Sequence, residues 1–91
     1  MPLEIVWSPL SRVRLRQICE YAARDKPDAA EKLATRIVAL VEVLKDHPYI
    51  GRTGSEPGVR ELIVGGTHLI FYRVRGKRVT INTIRHAAQL K

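Results

Sequence analysis

Arginine side chains are concentrated in the C-terminal half of the 91-residue sequence, where they are suited to bind an anionic partner. A guanidinium group donates two parallel hydrogen bonds, which suits phosphate and carboxylate groups. Such a set indicates a binding surface for an acidic macromolecule or a site that cleaves a phosphodiester. The alternative is that each arginine only keeps an exposed sheet edge solvated. The cationic set, with a histidine and a tyrosine beside it, comprises Arg52, Arg60, Arg73, Arg75, Lys77, Arg78, Arg85, His86 and Tyr72.

Cleavage of RNA through its 2′-hydroxyl group needs a base, an acid and a cation that face the scissile phosphate. His86 is the candidate acid or base, because imidazole changes its protonation near neutral pH. Arg85 or Arg60 would hold the phosphate, and Tyr72 is a weak candidate acid. Many histidines at strand ends only hydrogen-bond a carbonyl group, so this set is compatible with cleavage without being diagnostic of it.

The sequence predicts no metal and no cofactor. His68 and His86 can approach each other across neighbouring strands, but a metal would need further ligands of suitable type, and His47 is far away in the sequence. We find no phosphate-binding glycine loop, no dinucleotide-binding glycine pattern and no CxxC pair. The single cysteine, Cys19, excludes an internal disulfide framework and is expected to fill core volume.

Periodicity and breaker residues predict one strand and two helices in the N-terminal half. The alternating segment 3–7 predicts a strand, and Ser8-Pro9 predicts the start of a helix that runs to about Arg24. The segment 25–28, which contains a proline, predicts a break before a second helix over about 28–45. Both helices carry an apolar stripe, so they are expected to form an antiparallel hairpin.

The C-terminal half predicts a loop over 46–58 and then a three-stranded meander. Glycine pairs or glycine-containing turns separate the strands, which are predicted at 59–64, 67–75 and 78–85. The strand 67–75 is the most apolar and is therefore expected to lie centrally in the sheet.

The element order β-α-α-β-β-β predicts an α+β fold in two layers, with the helical hairpin packed on a mainly antiparallel sheet. The length predicts a single domain over residues 1–91. In the last strand, strict alternation places Thr80, Asn82, Ile84 and His86 on one face, opposite Arg85.

The formal net charge is +7, and it is unevenly distributed. Residues 1–45 carry 8 basic and 6 acidic side chains, whereas residues 46–91 carry 8 basic and 3 acidic ones. The C-terminal half should therefore attract an acidic partner, although charge alone does not choose among nucleic acid, lipid and protein. The sequence has no apolar run near the roughly 18 residues of a membrane span and no signal-peptide pattern, so we expect a cytoplasmic protein.

Short motifs recur along nearly the whole chain in a characteristic order. They are Trp7-Ser8-Pro9, then Leu15, Ile18 and Tyr21, then Pro27-Asp28-Ala29-Ala30, Leu44, His47-Pro48-Tyr49-Ile50-Gly51-Arg52, Gly58-Val59-Arg60-Glu61-Leu62, Phe71-Tyr72-Arg73-Val74 and Arg85-His86-Ala87-Ala88. This ordered set resembles the RelE/ParE toxin superfamily. The resemblance implies the toxin half of a bacterial type II toxin–antitoxin pair and the same α+β fold.

Members of this superfamily act in two known ways: RelE-like toxins cut mRNA on the ribosome, and ParE-like toxins inhibit DNA gyrase. Nuclease members carry basic residues on the first two meander strands, where this sequence keeps Arg60 but has Leu62 and Leu69. A leucine cannot neutralise a phosphate, so the resemblance favours the ParE-like branch. A C-terminal histidine serves other nuclease branches, and His86 matches it, so a metal-independent ribosome-dependent endoribonuclease remains the alternative.

Under the ParE-like interpretation, Arg60, Arg73 and Arg85 would contact gyrase or the antitoxin, and His86 would be structural. The resemblance also implies a cognate antitoxin with an acidic or amphipathic segment that folds on the toxin. We expect Val13, Tyr21 or the outer face of the second helix to contribute to its groove. A further alternative is a small basic nucleic-acid-binding module, although adjacent Phe71 and Tyr72 point to opposite faces and make a poor stacking platform.

Overall fold

The computed structural model describes residues 2–87 as two helices on one face of a five-stranded sheet. The sheet order is β1-β5-β4-β3-β2, with β1 parallel to β5 and the other neighbours antiparallel. The α+β class and the central place of β4 are confirmed. Residues 88–91, which include the last residue of the final motif, lie outside the described residues. The elements are β1 (Glu4–Trp7), α1 (Pro9–Asp25), α2 (Pro27–Val43), β2 (Arg52–Thr53), β3 (Arg60–Val64), β4 (His68–Arg75) and β5 (Arg78–His86).

The start of α1 is fixed by its cap, as the sequence predicts. The Ser8 side chain accepts a hydrogen bond from the Ser11 amide at 3.0 Å, and Pro9 occupies the first turn. The Ser8 hydroxyl also donates to the Asn82 carbonyl at 2.7 Å. One side chain therefore caps α1 and joins it to β5.

The core lies between the helices and the sheet. From α2 it contains Ile37 and Val41, and from the residue that ends this helix Leu44, all of which are almost fully buried. From the sheet it contains Val64, Ile70, Tyr72, Val79, Ile81 and Ile84. Ile70 and Tyr72 of β4, the central strand, lie on the face that the helices cover and are fully buried.

The sequence predicted an uninterrupted loop over 46–58. The structure differs, because this segment contains the two-residue strand β2. Arg52 pairs with Glu61 and Thr53 pairs with Arg60, which closes the N-terminal part of the β3 edge. The element order is therefore β-α-α-β-β-β-β. Two residues are too few for a periodic pattern, so the pairing partner alone creates this strand.

The predicted face assignment in β5 is wrong because of a β-bulge. Phe71 pairs with Thr83 and Tyr72 pairs with Ile81, which leaves Asn82 as the extra residue. The insertion breaks the two-residue period, so Ile81 and Ile84 are both buried against the helices. Thr80 and Ile84 therefore do not share a face, whereas Arg85 and His86 still point in opposite directions.

Within residues 2–87, neither helix is both long and apolar enough to cross a bilayer.

Candidate functional site

An open groove of about 550 Å³ lies between the C-terminal half of α1 and the ends of β4 and β5. The sequence predicted Tyr21 in a groove of this kind, whereas Val13 is exposed elsewhere on α1 and is not among the residues that line it. Because most of the lining is apolar, the groove is suited to an amphipathic segment. Its walls consist of Arg14, Gln17, Ile18, Tyr21, Ala22, Leu33, His68, Ile84 and His86.

Most residues of this groove were not predicted from the sequence, although one signal was present. Arg14, Gln17 and Tyr21 follow at intervals of three and four residues, so they form one stripe of α1 beside the buried stripe. Tyr21 is 71% exposed at the end of this stripe. Its neighbours on β4 and β5 could only be found from the strand register.

Two histidines face each other at the sheet end of the groove, as the sequence suggested. His68 and His86 pair across β4 and β5, and their ring centroids are 5.0 Å apart with the rings nearly perpendicular. The His68 Nδ1 atom lies 2.9 Å from the Thr67 hydroxyl oxygen, within hydrogen-bond distance. Burial, and secondly the neighbouring His86 ring, lower the pKa of His68 below its ordinary value of 6.5.

This lowered pKa predicts that the protein loses stability on acidification. Below about pH 6.5 the unfolded chain binds the His68 proton more readily than the folded protein does, so the free energy of unfolding falls with pH. His68→Gln should reduce the difference in urea midpoint between about pH 7.5 and about pH 5.5. His47→Gln, at an exposed position, is the control and should leave the difference unchanged. An unchanged pH dependence in His68→Gln would contradict the prediction.

Arg60 lies in a different place, under the loop that follows α2. Its Nη1 atom donates to the Gly51 carbonyl at 2.8 Å and lies 3.4 Å from the Tyr49 carbonyl. Its guanidinium carbon stacks over the Tyr49 ring at 5.0 Å from the centroid. One of the two terminal nitrogens of Arg60 is thus engaged within the protein.

Tyr72, the weak candidate acid, is a core residue. Its hydroxyl donates to the Pro48 carbonyl at 2.8 Å and accepts from the Gly51 amide at 2.9 Å. Burial raises the pKa of Tyr72, and the bond from Gly51 and the charge of Arg60 oppose this effect only in part. A buried phenol with both hydrogen-bonding functions occupied is poorly placed to give a proton to a substrate.

Arg85 lies on the outer face of the sheet, which the helices do not cover. Its guanidinium carbon is 5.6 Å from the Phe71 ring centroid, and Arg73 on the same face reaches toward Gly58. Arg52 forms an ion pair with Glu61, 3.3 Å away, where β2 pairs with β3 at one edge of the sheet. This face is basic, with an aromatic ring, but it is separated by the sheet from His86.

The remaining predicted arginines lie at the β4–β5 hairpin. Arg75 and Arg78 border a shallow depression with Lys77, and Arg78 forms an exposed ion pair with Glu4 at 3.6 Å. Such exposed pairs contribute little to stability. The basic residues predicted from the sequence therefore lie in three places: the β4–β5 hairpin, the outer face of the sheet and the loop after α2.

Cys19 is only half-buried on α1, so it fills less core volume than expected. Burial still raises the pKa of its thiol, which makes it a weak nucleophile.

Solved structures share this architecture. A chain of the chromosomal ParDE toxin–antitoxin system from P. aeruginosa aligns with a TM-score of 0.83 and 26% identity, covering 92% of this chain and 95% of that one. A chain of the RelBE2 toxin–antitoxin complex from Mycobacterium tuberculosis shares the fold, with a TM-score of 0.64, 19% identity, and coverage of 94% and 99%. The fold is that of the RelE/ParE toxin superfamily, a class of type II toxin.

A family model and two sequence relatives identify the family within this class. The family model of the ParE toxin of the type II toxin–antitoxin system parDE matches residues 5–91, and the chain belongs to this family. The candidate toxin Y4kP of Sinorhizobium fredii is 36% identical over 86 residues, which are 93% of this chain and 88% of that protein. Toxin RelE2 of Caulobacter vibrioides is 33% identical over 87 residues, with coverage of 96% and 98%.

Proposed function

We propose that the protein is the toxin of a type II toxin–antitoxin pair, that it acts by binding and inhibiting DNA gyrase, and that a cognate antitoxin neutralises it. The toxin is a single cytoplasmic domain over residues 1–91 and needs no metal or cofactor. Membership of the ParE family supports the first part of this proposal.

The observation that supports gyrase binding over RNA cleavage is the separation of the three candidate catalytic residues. His86 lines the groove beside α1, Arg85 lies on the outer face of the sheet, and Arg60 is bonded to the loop after α2. An acid, a base and a phosphate-binding cation must act on one phosphate. Side chains on three different surfaces are better suited to contacts with a large partner.

The groove is the proposed antitoxin site. Its floor of Ile18, Ala22, Leu33 and Ile84 is apolar, and Arg14 stands at its rim. An amphipathic helix with acidic side chains on its borders would bury its apolar face here and place its acidic groups near the rim. The net charge of +7 supports an acidic partner.

A ribosome-dependent endoribonuclease is the second candidate, because a relative of 33% identity is described as a RelE toxin. In that case His86, Arg85 and Arg60 would be the catalytic residues and mRNA on the ribosome the substrate.

One experiment separates the two candidates. We expect the purified protein to inhibit DNA supercoiling by purified gyrase, and induced cells to form filaments with a DNA-damage response before translation stops. His86→Ala should inhibit gyrase as the wild type does. Early mRNA cleavage that is absent in His86→Ala, with no inhibition of gyrase, would overturn the proposal in favour of the nuclease.

A further inference from the structure

The loop that follows α2 exposes two large apolar side chains side by side. Tyr49 is 64% exposed and Ile50 is 48% exposed. We call residues 48–51 the Tyr49 loop. Neither exposed side chain belongs to the groove beside α1, so the proposed antitoxin site does not account for them.

Hydrogen bonds and close packing from the sheet hold the Tyr49 loop in one conformation. The Tyr72 hydroxyl binds its first and last residues, by donating to Pro48 and accepting from Gly51. Arg60 donates to the Gly51 carbonyl and stacks on the Tyr49 ring. A Cβ atom at Gly51 would lie 2.5 Å from the Tyr72 hydroxyl oxygen, so the loop approaches the core as closely as glycine allows.

Such a loop is pre-organised for binding. Exposed apolar side chains on a mobile segment lose entropy when they bind, whereas a loop fixed by its own protein has already lost it. Tyrosine and arginine are also enriched among the residues that contribute most to protein–protein affinity. Tyr49 stacked on Arg60 presents both types of side chain on a fixed backbone.

The surroundings of the loop indicate the chemistry of the partner. A recess of about 410 Å³ lies beside it, with Tyr49, Arg60 and Val74 in its walls, and it can accept a partner side chain. The recess itself holds one acid, Glu56, and one base, Arg60, whereas the C-terminal half of the chain, residues 46–91, carries eight Lys and Arg against three Asp and Glu. An acidic surface is therefore favoured.

Protein fits this site better than nucleic acid. Ile50 offers no ring on which a base can stack, one face of the Tyr49 ring is already covered by the Arg60 guanidinium, and the Nη1 atom of Arg60 already binds backbone carbonyls. An aliphatic side chain beside an aromatic one instead suits the apolar centre of a protein interface.

We propose that the Tyr49 loop is the surface by which the toxin binds its protein target. The target presents an acidic surface with an apolar side chain for the recess. Arg60 is a positioning residue for this loop. The target surface is separate from the antitoxin groove. The groove meets α2 at Leu33, in its first half, whereas the Tyr49 loop follows the C-terminal end of this 17-residue helix, which is about 25 Å long.

The test compares Tyr49→Ala and Ile50→Ser with Ile63→Ser, an isoleucine of matched exposure, 49%, on β3. We expect the first two variants to need at least about tenfold more protein for half-inhibition of purified gyrase, and to lose growth arrest in cells. Ile63→Ser should stay within about twofold of the wild type. All variants should melt near the wild-type temperature and bind the cognate antitoxin with unchanged affinity.

Arg60→Lys tests the positioning role, since it keeps the charge but not the planar group that stacks on Tyr49 and binds the loop carbonyls. We expect faster hydrogen exchange of the Gly51 amide together with weaker gyrase inhibition and unchanged antitoxin affinity. Unchanged exchange and inhibition would remove Arg60 from the proposal.

The proposal rests on the proposed function in taking the protein as a toxin with a cognate antitoxin and in using gyrase as its probe. If the wild type inhibits gyrase and Tyr49→Ala does so equally, the loop proposal is overturned and the function stands. If the wild type arrests growth without inhibiting gyrase, the gyrase assignment fails. Loss of arrest in Tyr49→Ala with intact antitoxin binding then still supports the loop. If Tyr49→Ala loses antitoxin affinity, the loop proposal is overturned. It is also overturned if the wild type neither inhibits gyrase nor arrests growth.

Discussion

Replacing Tyr72 with alanine is expected to lower the free energy of unfolding by about 3–5 kcal/mol, measured by urea denaturation. The ring is fully buried at the centre of the sheet, so its removal leaves a cavity in the core cluster that also contains Ile70, Ile81 and Leu44. Because small domains have only about 5–15 kcal/mol of stability in total, a large fraction of this variant should be unfolded in mild urea.

Tyr72→Phe separates the hydroxyl from the ring. It leaves the Pro48 carbonyl and the Gly51 amide without their partner, and we expect a cost of about 1–3 kcal/mol. Tyr49→Ala is the control, because it removes a tyrosine from the loop that Tyr72 binds. Its ring is exposed, so this variant should lower the free energy of unfolding by no more than about 1 kcal/mol. Equal losses in Tyr72→Ala and Tyr49→Ala would contradict this account of the core.

Replacing Tyr21 with alanine is expected to weaken binding of the cognate antitoxin by about thirtyfold, which corresponds to about 2 kcal/mol. Tyr21 is the largest exposed side chain in the groove, and a bound helix would cover its ring. Isothermal titration calorimetry measures the affinity, and in cells the variant should arrest growth at antitoxin levels that neutralise the wild type.

Tyr49→Ala again provides a matched control, since Tyr21 and Tyr49 are 71% and 64% exposed. The two variants should show opposite phenotypes. Tyr21→Ala keeps gyrase inhibition and loses antitoxin affinity, whereas Tyr49→Ala loses inhibition and keeps the affinity. If Tyr21→Ala binds the antitoxin as tightly as the wild type does, the groove is not the antitoxin site.

The sequence predicted the parts of the fold that depend on local chemistry. Ser8 and Pro9 fix the start of α1, and Pro27 fixes the start of α2, because a cap and a ring-locked backbone angle act within a few residues. The glycines at 65 and 66 adopt positive φ angles of 60° and 73°, as the turn before β4 requires.

Features that depend on distant partners could not be predicted in the same way. A bulge at Asn82 is one residue inserted against β4, and a periodic pattern cannot show it until the pairing is known. The same limit applies to the candidate site. Tyr21 was found from its place on α1, but the engagement of Arg60 with the Tyr49 loop depends on a loop that folds back on the sheet.

The parallel pairing of β1 with β5 has a consequence for the nascent chain. Glu4 to Trp7 are synthesised long before β5, which is their strand partner within residues 2–87 and begins at Arg78. This strand also supplies Ile84 and His86 to the groove. A translation product that stops before residue 78 therefore lacks both β5 and part of the groove proposed for the antitoxin. The sheet and the surface proposed for the inhibitor are thus completed together, when β5 has been synthesised.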